Sequence, residues 1–101
     1  MAVACTTLDE VRENIDRLDQ QIITLLAERG RFVSQAAHFK KDTDEVKAPQ
    51  RVEQVVAKVR ALSDVVGANP EVTEQVYRAM IAAFIQQELA EHTALAMNHP
   101  S

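Results

Sequence analysis

Tryptophan is absent, and one tyrosine with three phenylalanines brings aromatics to only 4% of 101 residues. Little is left of the material that favours sheets. Two glycines and three prolines are also few, so long helices can run unbroken. A single cysteine, Cys5, excludes an internal disulfide and a cysteine-based metal site, and an exposed, inert thiol is expected ahead of the first helix. The bases form no continuous run: 11 stand against 15 acids, a net charge of -4, which argues against nucleic acid as a partner. Nowhere do about 18 apolar residues follow one another, as a membrane span requires. Met1 to Thr6 lacks the basic and apolar regions of a secretory leader, so a cytoplasmic protein is expected. His38, His92 and His99 are scattered, with no pair at the i, i+4 spacing of a helical metal site; solvated side chains and no metal are expected.

What the chain does have is apolar residues, 47% of the total, at helical spacing. Leu8, Val11, Ile15, Leu18, Ile22 and Leu25 step by three and four, the pattern of one buried helix face. Thr7 followed by Glu10 is a capping-box pattern, so the first helix is expected to run from Thr7 to Lys41, through Gly30. The polar stretch Asp42–Lys47 breaks the stepping ahead of Pro49 and reads as a mobile connection, placed to close over a ligand. Pro49 suits the first turn of a second helix with Val52, Val55, Val56, Val59 and Leu62 as its stripe. Gly67, Asn69 and Pro70 then supply a helix stop, an N-cap and a first position, predicting a third helix from Pro70 to about Ala94 and a frayed tail, MNHPS. The expectation is a single all-α domain over residues 1–101. A first helix of about 50 Å exceeds the width of such a domain. Half its seam would lie uncovered, which points to an intertwined homodimer.

Three polar residues intrude on the stripes. Continuing the first seam gives Arg29, Phe32, Ala36 and Lys40, so two cations fall within about 20° of one helix face, separated by roughly 16 Å. Long side chains leaning together could close on a small dianion. The competing reading is that both snorkel, stems on the core and charges in water. Arg51 falls in the first turn of the second helix, where a cation is disfavoured unless an anion is near. In the third helix Tyr77, Ile81 and Phe84 lead at seam spacing to Glu88, a carboxyl group where a buried residue is expected.

Arg12 in VRENIDRLD, Arg29 in LLAERGRF, Lys40 in HFKK, Arg51 in APQRV and Glu88 in FIQQE together resemble the small all-helical chorismate mutases and the related isochorismate pyruvate lyases, over residues 8 to about 89. The resemblance implies an intertwined dimer with two sites, each completed by an arginine of the other subunit; by position that is Arg12. It further implies that Arg29 holds one substrate carboxylate, that Arg12 and Lys40 hold the enolpyruvyl carboxylate, that Lys40 reaches the ether oxygen, and that Arg51 supports the edge. The implied reaction, chorismate to prephenate in aromatic amino acid biosynthesis from the shikimate pathway, needs no metal, cofactor or protein nucleophile. Many relatives carry glutamine in place of Glu88. An ionised carboxylate would repel the developing oxyanion, so Glu88 is expected to work protonated. Val52 replaces a glutamate that reads the ring hydroxyl, and Ala48 an acidic residue, which brings the APQRV stretch nearer the lyase, whose products are salicylate and pyruvate. A third reading is a noncatalytic helical dimer binding a small anion or partner. Against it, a purely structural seam has little reason to retain Arg29 and Lys40.

Overall fold

The computed structural model describes residues 4–97, with backbone alone for 95–97. Four helices follow in order: α1 (Leu8–Ala37), α2 (Thr43–Lys47), α3 (Pro49–Val66) and α4 (Pro70–Met97). No strand occurs among the described residues. The chain divides into two units, one ending at Phe32 and the other beginning at Val33.

In the first unit the Thr7 hydroxyl accepts from the Glu10 amide at 3.1 Å, the expected half of a capping box. The return bond comes from one residue further out than expected, the amide of Thr6 donating to the Glu10 carboxylate at 2.8 Å. Those bonds to Thr6 hold the Glu10 carboxyl below its ordinary range. Cys5 is half-buried rather than exposed, and its Sγ accepts from Asn14 Nδ2 at 3.6 Å. The helix passes through Gly30 without interruption. Its apolar stripe lies open, from 39% exposure at Val11 to 64% at Phe32.

The second unit holds the core: Ala37 at the end of α1, Val46 of α2, Val56 and Val59 of α3, and Ile81 of α4. α3 packs along α4, and α2 packs on α4 as well. The hairpin between α3 and α4 turns where glycine and asparagine predict. Gly67 sits at φ 79, a left-handed conformation that costs a residue without Cβ nothing, and the Ala68 amide reaches back to the Ser63 carbonyl at 2.8 Å. Asn69 Oδ1 then accepts from the Glu71 amide at 2.9 Å and starts α4. Arg60 bridges Glu71 and Glu74, and Arg78 bridges Glu74 and Glu53, so the exposed edge of the hairpin is laced with ions. Hydrogen bonds from Arg78 hold the Glu53 and Glu74 carboxyls below their ordinary range. Such surface pairs each add little stability.

Two sequence expectations are corrected between α1 and α3. The first helix ends at Ala37, not Lys41. Bonds of the i to i+3 kind, from the amides of His38, Phe39 and Lys40 to the carbonyls of Gln35, Ala36 and Ala37, tighten and close it. Lys40 therefore lies outside the helix, and the projection that put it on the face of Arg29 does not apply. The second correction concerns Asp42–Lys47, expected as a loop. Asp42 caps Thr43–Lys47 by accepting from the Glu45 amide at 2.9 Å, while Glu45 reaches back to the Lys41 amide. That reciprocal arrangement is worth about 1 kcal/mol per cap, and Val46, 1% exposed, anchors the short helix in the core. The third predicted helix reaches Met97 rather than Ala94. Of the expected frayed tail, the residues after Met97 lie outside the described ones, His99 among them.

Candidate functional site

The polar group that stands out in the second unit gathers on one stretch of α4. Glu88 is buried, 6% exposed, where the Tyr77, Ile81, Phe84 seam predicts an inward residue. Its Oε2 lies 2.8 Å from Lys40 Nζ. The lysine has left helical geometry just after α1, so its side chain is free to turn toward α4. Four residues beyond Glu88, one turn along the same face, His92 Nε2 stands 3.0 Å from the carbonyl oxygen of Lys40. Both ends of Lys40 are thus held by α4. Beside them Glu91 Oε1 accepts from Ser34 Oγ at 3.0 Å and from Gln87 Nε2 at 3.2 Å.

The electrostatics of the pair are unequal. The Glu88 side chain is 7% exposed and the Lys40 side chain 24%, so the carboxylate is enclosed while the ammonium keeps an edge toward solvent. An ammonium has three donors and a carboxylate oxygen occupies one, which leaves Lys40 able to meet an incoming anion. Removing either partner would leave the other without its hydrogen bond in a poorly hydrated place, a loss of about 1 to 3 kcal/mol.

Of the residues singled out in the sequence, the fold brings Lys40 and Glu88 together. Arg51 is exposed in the first turn of α3, followed by the half-buried Val52. Ala48, before Pro49, adopts a left-handed conformation at φ 38 and forms the one-residue junction between α2 and α3. Arg12, exposed, and Arg29, half-exposed, both belong to the first unit, on the unbroken α1. Their seventeen-residue separation is a rise of about 25 Å. His92 is a correction: expected to be solvated, it is half-buried and bonded to the main chain. Its partner is a backbone carbonyl, which leaves no mark in sequence. Surface grooves over Arg17, Gln21 and Leu25 and over Gln50, Glu53 and Ala57 each run along one helix and include neither Lys40 nor Glu88.

Residues 11–89, more than half of the chain, match the chorismate mutase type II family. The chain belongs to that family. Like the chorismate mutases, it is all-helical, and the matched span takes in Lys40 and Glu88 but stops short of Glu91 and His92. It is also similar to the isochorismate pyruvate lyase of Pseudomonas aeruginosa, 28% identical over 85 residues, which is 84% of each chain. Membership makes this an enzyme of the chorismate mutase family with a small anionic substrate. Among the described residues no helix is long and apolar enough to cross a membrane.

Proposed function

We propose that the protein is a chorismate mutase, converting chorismate to prephenate in a cationic pocket shared between two copies of the chain. The observation that carries this reading is the Lys40–Glu88 pair, an ammonium oriented 2.8 Å from an enclosed carboxyl group in a chain of this family. In the rearrangement a carbon–oxygen bond breaks as a carbon–carbon bond forms, and negative charge grows on the ether oxygen. The protein's tasks are to hold the compact conformer and to meet that charge with donors already in place. Lys40 faces the ether oxygen and one oxygen of the enolpyruvyl carboxylate. Arg29 clamps the other carboxylate, Arg12 of the partner subunit completes the site, and Arg51 lines its edge. The exposed stripe on α1 supports a dimer, because a second copy would remove that apolar surface from water.

Glu88 contributes by donating a hydrogen bond to the ether oxygen, its proton staying on the carboxyl group throughout. Glu88→Gln, which keeps a donor at that point, should retain most of kcat, whereas Glu88→Leu, which has none, should lose roughly a hundredfold. An unchanged kcat in Glu88→Leu would remove Glu88 from the mechanism.

The likeness to a lyase, with Ala48 and Val52 in the APQRV stretch, favours a second reading: isochorismate to salicylate and pyruvate in the same cradle. The deciding experiment offers the purified protein chorismate and isochorismate separately and follows prephenate, salicylate and pyruvate. Efficient prephenate formation with little salicylate is the expected result. Preferential salicylate formation would make the protein a lyase with Val52 as part of its selectivity. Turnover of neither, with tight binding of a chorismate-like dianion, would leave a noncatalytic binder.

A further inference from the structure

We infer that His92 is a positioning residue for Lys40, fixing its main chain while Glu88 steers its side chain; the catalytic consequence rests on the function proposed above. A carbonyl oxygen only accepts, so a ring nitrogen 3.0 Å from it must carry the hydrogen. His92 is therefore held with Nε2 protonated, donating to Lys40. The tether matters because of where Lys40 sits. It follows the last turn of α1 and precedes the cap of α2, and its own amide reaches Ala37 over 3.4 Å, a long bond. Left to those contacts, its backbone would be poorly fixed, and a lysine side chain carries considerable rotamer freedom of its own.

The α4 helix removes both freedoms from one face. Glu88 takes the ammonium at 2.8 Å, and His92, one turn on, takes the carbonyl. A displacement of about 1 Å at a reacting group can cost a hundredfold in rate, so support of this kind is part of the catalytic geometry. His92 lies outside the residues that match the family, and nothing in its spacing announces the role.

Two variants and one spectrum test this. His92→Leu removes the donor and should lower kcat roughly tenfold to a hundredfold with KM changed much less. His92→Gln, whose amide nitrogen can reach the same carbonyl, should restore most of the rate. In a Lys40→Met background, His92→Leu should cause no further loss. A rate loss unaffected by the glutamine, or equal in the two backgrounds, would overturn the inference. Nitrogen-15 spectra of the wild-type imidazole should show Nε2 carrying hydrogen, and His92→Leu should move the carbonyl carbon-13 resonance of Lys40. A ring protonated only at Nδ1 would overturn the tether even if the wild-type protein turned over neither substrate, an outcome that counts separately against the proposed function.

Discussion

Replacing Lys40 by methionine should lower kcat by two orders of magnitude or more while the chain still folds. The size follows from the task assigned to the ammonium. One preorganised donor aimed at charge that develops only in the transition state is worth roughly 3 kcal/mol, a factor of about a hundred. In the proposed site Lys40 also holds a substrate carboxylate, so KM should rise, but by less, because that contact exists in the ground state as well. Methionine keeps the apolar stem and removes the charge, which isolates the electrostatic part of the effect.

The same substitution deprives Glu88 of its hydrogen-bond partner in a place that is only 6% exposed. A buried carboxyl group without its partner costs about 1 to 3 kcal/mol, enough to confuse a lost reaction with a weakened fold. The companion variant Lys40→Met/Glu88→Gln leaves neither charge and should recover much of that stability without recovering the rate. Steady-state kinetics and denaturant melts on both proteins separate the two effects. If the neutral double variant matched wild type in kcat, the ammonium would have no part in the chemistry.

How far the sequence led can be judged at these residues. The start of α1, its stripe and the turn at Gly67–Pro70 were legible because each rests on local chemistry: a hydroxyl for an orphan amide, a three-four spacing, a residue without Cβ. The burial of Glu88 followed from spacing within its own helix. The end of α1 did not, because no glycine or proline stands near Ala37 and the seam ran on through Ala36 and Lys40 on paper. The signal was present in Asp42 and Glu45, spaced as a capping box, but a cluster of polar residues before a proline reads more readily as a loop. Lys40 and Glu88 lie forty-eight positions apart and α4 meets the stretch before α2 only in the folded chain, so their pairing had no local signature. Family resemblance named both residues; it gave no sign of His92, whose partner is main chain.

Mixing two inactive variants should restore activity. Arg12 and Arg29 sit on one unbroken helix, about 25 Å apart along its axis, too far for both to grip one small dianion from the same chain. If Arg12 serves the site of a second copy, Arg12→Ala and Lys40→Ala homodimers each lack a required group at both sites. In a heterodimer the defects distribute differently. One site collects both substitutions, and the other combines the unmutated Lys40 of one chain with the unmutated Arg12 of the other. Random exchange makes half of the dimers mixed, each with one intact site, so the mixture should reach roughly a quarter of wild-type activity from parents that have almost none. Subunit exchange is followed independently by native mass spectrometry on chains of different isotopic mass. Exchange without recovery would contradict a shared site. The apolar stripe on α1 would then need a cover that does not deliver Arg12, and the enolpyruvyl carboxylate would rest on Lys40 without an arginine from a second copy.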